Sequence, residues 1–181
     1  AEVVAQRLLE ALEAGGPVGL ATGRTMEPVY AALRRRLDAW DQERCQGLLQ
    51  CWRSYNLDEY VGLGPADLGS FAADMHAALV GPLGLLPGRL QLPDGLAVDP
   101  EVEARRYGAA VVADGGITLQ LLGLGSNGHV GFNEPPCPAQ APSRCLQLSA
   151  ATRSQNACAF GGDPSAVPVR AMTLGMAEIL A

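Results

Sequence analysis

Short apolar runs alternate with longer stretches of helical periodicity, and this alternation constrains the fold more than any other feature of the sequence. Val4, Leu8, Leu9 and Leu12 recur at helical spacing, Gly15-Gly16-Pro17 ends that pattern, and Val18-Gly19-Leu20-Ala21 follows as a buried strand. After the turn Thr22-Gly23-Arg24-Thr25, helical spacing resumes from Met26 to Trp40 through Val29, Tyr30, Leu33 and Leu37. Leu48 to Leu57 reads as a second strand running into Asp58-Glu59-Tyr60, and Ser70 to Leu83 as a helix. Leu90-Gln91-Leu92 is a short strand, Pro100 to Ala113 a helix, and Ile117 to Leu124 a strand that enters a glycine-rich loop. Such alternation predicts an α/β fold, a mainly parallel open sheet with helices on both faces in a Rossmann-like three-layer sandwich. The 181 residues, 48% of them hydrophobic, suit a single domain over 1–181. The pattern breaks off at Ile179-Leu180-Ala181 inside a helical stretch without a cap, so the domain is expected to be truncated there.

Open parallel sheets bind ligands at the carboxyl ends of their strands. Three predicted strand ends carry polar loops, namely Thr22–Thr25, Asp58–Tyr60 and Ser126–Glu134, which converge on one site if the strands are neighbours. Charge narrows what can bind. Thirteen basic residues face 19 acidic ones, a net charge of −6, which disfavours nucleic acid and anionic membranes but leaves room for a small anion in a locally positive pocket. Every basic residue is arginine. The chain therefore has no lysine of its own for a Schiff base or a P-loop. Its five cysteines form no C-x-x-C pair and are odd in number, which argues for reduced thiols over a metal site or a disulfide framework. No apolar run approaches the roughly 20 residues of a membrane span, and the expected location is cytoplasmic.

Gly123-Leu124-Gly125-Ser126-Asn127-Gly128 matches the dinucleotide fingerprint literally, but Pro135-Pro136 follows too soon for the helix that fingerprint needs. The glycines fit better as a loop that brings backbone to a ligand and leaves His129 projecting, with Asn127 and Glu134 near enough to set its tautomer and charge. His76, on an Ala- and Leu-rich helix, reads as structural. Asp58 and Glu59 are adjacent on an extended segment and so point apart, leaving one to face a substrate and the other to anchor its own loop. Thr22, Gly23, Arg24 and Thr25, between a strand and a helix, offer hydroxyls, backbone N–H groups and a guanidinium to an anion.

Together these segments resemble the glucosamine-6-phosphate deaminase family, which shares its fold with the 6-phosphogluconolactonases. The matching stretches are Leu20 to Thr25, Tyr55 to Gly62, Gly123 to Pro135, and more weakly Val167-Pro168 with Ala171 to Gly175. The continuation Gly131-Phe132-Asn133-Glu134-Pro135 after the histidine favours the deaminase over a lactonase, whose counterpart is typically apolar. The resemblance implies conversion of glucosamine 6-phosphate and water to fructose 6-phosphate and ammonia in amino-sugar catabolism, without a metal or other cofactor. It implies Asp58 as the base at C2, His129 with Asn127 as the ring-opening proton shuttle, and Glu134 as the residue that pairs with the histidine. Thr22, Gly23, Arg24, Thr25, Gly123 and Gly125 then bind the sugar phosphate. The same-fold alternative is lactone hydrolysis; the non-enzymatic one is a sugar-phosphate sensor, against which the joint retention of Asp58, His129 and Glu134 argues. The partner is a small sugar phosphate, and a homo-oligomer is left open.

Some positions depart from the family pattern. The position of Asn127 is Asp in many members and Asn in others, and Asn can orient His129 but not add charge. Cys158 stands where an arginine usually holds the phosphate, and Arg24 where a Gly or Ser is usual, so Arg24 is expected to restore the charge from the other side. Leu146 and Leu148 stand where regulated members bind N-acetylglucosamine 6-phosphate through basic residues, so no such activation is expected. The family continues beyond position 181 with a strand, a lysine-bearing helix and another strand.

Overall fold

The computed structural model describes residues 1–125 and 127–181; Ser126, the first residue of the third polar loop, lies outside the described residues. In chain order the elements are α1 (Glu2–Glu13), β1 (Val18–Leu20), α2 (Glu27–Asp38), α3 (Gln42–Cys51), β2 (Ser54–Asn56) and β3 (Asp58–Tyr60). Next come α4 (Phe71–Met75), which continues through the π-helical turn His76–Val80 into α5 (Gly81–Leu83), then β4 (Leu90–Gln91), α6 (Pro100–Ala113) and β5 (Leu119–Gln120). The chain closes with β6 (Arg144–Gln147), α7 (Ala150–Asn156) running into the 3-10 turn Ala157–Phe160, β7 (Arg170–Thr173) and α8 (Met176–Ile179).

Four strands form a parallel sheet in the order β4-β2-β1-β5, with Val18 opposite both Ser54 and Leu119. On one face, Val18 and Leu20 pack with Leu8, Leu9 and Leu12 of α1 and Leu33 and Leu37 of α2. On the other, Tyr55 packs with Tyr107 and Val111 of α6 and with Leu174. The expected helix–sheet–helix layering is therefore present. No helix among the described residues is long and apolar enough to cross a membrane.

Three sequence expectations need correction. The apolar stretch from Leu48 to Leu57 is not one strand: Asp41 accepts a hydrogen bond from Arg44 N at 2.9 Å and caps α3, whose last turns include Leu48 to Cys51. Strand structure starts only after the buried Trp52, at Ser54. The extended run from Ile117 to Leu124 pairs as a strand only at Leu119–Gln120, because β5 is an edge with β1 on one side; Leu124 is 79% exposed.

A second sheet, antiparallel with order β3-β7-β6, was not foreseen. Asp58–Tyr60 belongs to this sheet and not to the end of β2. Leu57 is the crossing point. Its N–H bonds Leu20 O in the parallel sheet at 2.9 Å, while its carbonyl accepts from Leu174 N at 2.8 Å beyond β7.

Candidate active site

Because β2, β1 and β5 are adjacent and parallel, the loops that follow them emerge side by side. Asn56, fully buried at the end of β2, ties two of them together. Its Nδ2 donates to Thr22 Oγ1 at 2.9 Å and to the backbone oxygen of Asp58 at 3.2 Å, while its Oδ1 has no partner among the described residues.

Asp58 and Glu59 lie on opposite faces of β3, as alternation along a strand requires. The Glu59 carboxylate accepts from Tyr60 N at 2.8 Å, Phe71 N at 3.0 Å and Ala72 N at 2.7 Å, and so fastens the start of α4 to β3. Asp58 has no such donors to its carboxyl among the described residues. Its carboxyl, in a residue only 6% exposed, is pushed up to about 8 by burial and, secondarily, by the neighbouring Glu59 charge.

The loop after β5 crosses directly over Asp58. A Cβ added at Gly131, where φ is +56°, would lie 2.8 Å from Thr173 Oγ1 and 3.3 Å from Asp58 Oδ2. Thr173 pairs with Asp58 across the two strands, and its hydroxyl oxygen accepts from Phe132 N at 3.2 Å. Asn133 donates to Leu174 O at 2.8 Å and fixes the same loop to β7. Two residues before Gly131, His129 is nearly buried, with Nδ1 2.7 Å from Asn127 Oδ1. An amide oxygen only accepts, so the contact puts the imidazole proton on Nδ1 and leaves Nε2 as the free lone pair. Burial lowers the His129 pKa, and the Glu134 charge opposes the shift without cancelling it. The ring is neutral at pH 7.

Glu134 makes no hydrogen bond to His129 among the described residues. Its Oε1 accepts from Ser149 Oγ at 2.8 Å and from Thr152 Oγ1. Burial works against its charge, but the hydroxyl bonds from Thr152 and Ser149, the Ser149 backbone N–H and the nearby His129 together outweigh that and hold the pKa below the usual carboxylate value. The expected pairing of Glu134 with the histidine is thus electrostatic and through space.

A cavity of about 680 Å³ opens beside this group, with Thr22, Gly23, Arg24, Tyr60, Phe71 and Cys158 among its walls. Arg24 and Cys158 line the same space. The Arg24 guanidinium has no hydrogen-bond or ion-pair partner among the described residues. Arg34, also at the cavity, is engaged by Ala78 O. Asp58, His129 and Glu134 are not among the cavity's walls, nor are Thr25, Gly123 and Gly125; the cavity meets the Asp58 strand at Tyr60. Gly125 lies against the His129 ring: a Cβ there would fall 2.2 Å from its Cε1. Gly123 is near Met26, whose methyl would be 3.4 Å from an added Cβ. No group of three or more His, Cys, Asp or Glu side chains is placed to hold a metal among the described residues.

Sequence reasoning missed Ser149, Thr152 and Thr173. The first two read in sequence only as a helix start, with Ser149 capping Thr152 N at 3.1 Å, and Thr173 lies in a strand that no clear periodicity announces.

No family model matches the chain. A curated glucosamine-6-phosphate deaminase from Lysinibacillus sphaericus is 38% identical over 163 residues, 90% of this chain and 66% of that protein. The chain therefore spans just under two thirds of that relative's length. Among solved structures, a monomeric glucosamine-6-phosphate deaminase superposes with a TM-score of 0.88 at 34% identity, covering 99% of this chain and 73% of its own. The 6-phosphogluconolactonase of Thermotoga maritima shares the fold, with a TM-score of 0.64 at 18% identity over 96% of this chain and 72% of that one.

Proposed function

The chain belongs to the glucosamine-6-phosphate deaminase family, and from that premise we propose that it forms a single sugar-phosphate isomerase/deaminase domain acting on glucosamine 6-phosphate in the cytoplasm. The observation that carries this reading is the buried Asp58 carboxyl, without a donor among the described residues, directly beneath the loop that bears a neutral His129.

The chemistry follows from those two groups. Opening the cyclic sugar requires a proton to leave the anomeric hydroxyl and another to reach the ring oxygen. The free Nε2 of His129 takes the first and returns it to the second. Asp58, as carboxylate, then removes the proton at C2; the C–H electron pair becomes the second C1–C2 bond while the carbonyl pair of C1 moves onto O1, which takes up a proton from solvent. When Asp58 returns its proton to C1, the amine lone pair forms the C2–N double bond and leaves an iminium at C2. Water adds to that carbon, the C–N bond breaks and ammonia leaves, so that glucosamine 6-phosphate and water become fructose 6-phosphate and ammonia. Burial suits Asp58 to this exchange, since a base poised near the working pH both takes and returns a proton. Ammonia assayed after incubation with glucosamine 6-phosphate tests the proposal; hydrolysis of 6-phosphogluconolactone without ammonia release would overturn it.

The phosphate is assigned to the cavity wall formed by Thr22, Gly23 and Arg24. Arg24, which has no partner among the described residues, supplies there the cation that Cys158, on the same cavity, does not. A hydrogen bond to a charged group contributes about 1.5–3 kcal/mol, so Arg24→Ala should raise KM for the sugar phosphate roughly 10- to 100-fold with little change in kcat. An unchanged KM would remove Arg24 from the phosphate seat.

A further inference from the structure

Glu134 is held by a pair of hydroxyls together with the Ser149 backbone N–H, and the reaction described above uses none of these groups. Ser149 Oγ and Thr152 Oγ1 both donate to one oxygen of Glu134, at the point where α7 begins. Thr152 is 1% exposed, so its hydroxyl has no solvent to turn to, and the carboxylate is its partner. His129, for its part, is bonded to Asn127 and not to Glu134.

We propose that Ser149 and Thr152 are positioning residues for His129: their hydroxyls clamp the Glu134 carboxylate against α7, withholding it from the imidazole and keeping the ring neutral.

Only a few charges can act on His129. Among the described residues Glu134 is the charged group that shifts it, and its influence is through space. Asp58 lies beneath Gly131 on the same loop, but burial keeps its carboxyl protonated up to about pH 8, across the range where an imidazole titrates. Facing Glu134 are Ser149 and Thr152 from α7 and His129 from its own loop. Without the hydroxyls the carboxylate is held less firmly to the start of α7, and its charge already acts on the ring. Contact with it would favour the imidazolium, which cannot accept the first proton of ring opening. Further along, α7 and its 3-10 turn reach the cavity through Asn156 and Cys158, so the clamp and the cavity share one helical segment.

This assignment builds on His129 as the proton carrier, but its test needs no substrate. The chain has two histidines, so the His129 C2 proton can be followed by NMR through a pH titration with His76 as the reference resonance. Thr152→Val keeps the shape and removes the hydroxyl. It should raise the His129 midpoint by about one pH unit, the size of shift a newly contacting opposite charge produces. Thr152→Ser should restore the parent value, and Ser149→Ala should move the midpoint the same way by less. The proposal fails if Thr152→Val leaves the midpoint unmoved or lowers it, or if Thr152→Ser shifts it as far as valine does. Should Thr152→Val not fold, Ser149→Ala decides the sign. Activity gives an independent reading: with ammonia release established, Thr152→Val should lower kcat several-fold at neutral pH and leave KM in place. A protein that shifts His129 as expected yet releases no ammonia would keep the clamp and lose the deaminase.

Discussion

Asp58→Asn is expected to reduce ammonia release by roughly 10²- to 10⁴-fold, the range that a positioned general base contributes, with KM nearly unchanged. The amide has the carboxyl's shape and Gly131 leaves it room, so the loss reflects chemistry and not packing. The same residue governs two pH dependences. Asp58 must be ionised to act, and its carboxyl is raised to about 8, so kcat/KM should climb with pH up to that region. Stability runs the opposite way. Below the unfolded value, near 3.8, both states hold the proton and Asp58 contributes nothing to the pH dependence. Between there and about 8 the unfolded chain releases the proton while the folded chain keeps it, so stability falls as pH rises, by at most about 1.4 kcal/mol per unit. Asp58→Asn removes this decline. Thermal melts at pH 5 and pH 8 should show the variant gaining on the parent at the higher pH, and parallel curves would contradict the buried carboxyl.

Gly125→Ala is the second large effect. The glycine's φ is not in the left-handed region, so alanine fits the backbone; the conflict is with the imidazole, whose three nearest atoms would lie 2.2–2.4 Å from the new methyl. The ring must leave its place, and with it the Nδ1 bond to Asn127. Activity should fall at least about 100-fold, the lower end of what a proton-transferring group contributes, while the melting temperature moves little because the sheet and its helices are untouched. Gly47→Ala is the control. Gly47 lies in α3 with no heavy atom within 4 Å of the added Cβ, so activity should be retained and stability raised by about 0.5–1 kcal/mol. Retained activity in Gly125→Ala would remove His129 from the proton path.

The catalytic candidates stood out in sequence because their chemistry and their local partners are close together. His129 has Asn127 two positions before it and Glu134 five after, and Asp58 sits beside Glu59 where strand alternation parts them. Outside the stretch from Gln42 to Cys51, the helix–strand alternation of the first 120 residues was legible for the same reason: α1, α2 and α6 each carry their apolar stripe within one element. Reading failed where the partner is far along the chain. Leu48 and Leu49 look alike in a strand or a helix, and the cap at Asp41, seven positions away, decides for the helix. Ser149 and Thr152 meet Glu134 across 15 and 18 residues, and Thr173 meets Phe132 across 41.

The sequence by itself determined the mainly parallel α/β architecture and the lack of a lysine within these 181 residues, and it singled out Asp58, His129 and Arg24 as candidates. These follow from side-chain type and short-range periodicity, which need no knowledge of distant contacts. The tertiary structure alone decided how they are used. It turned the chain at Leu57 into a second sheet, which buries Asp58 under Gly131 and raises its carboxyl. It also bonded Glu134 to two hydroxyls of α7 and not to the histidine beside it in sequence. Burial and long-range hydrogen bonds set protonation, and both arise only when segments far apart in the chain are packed together.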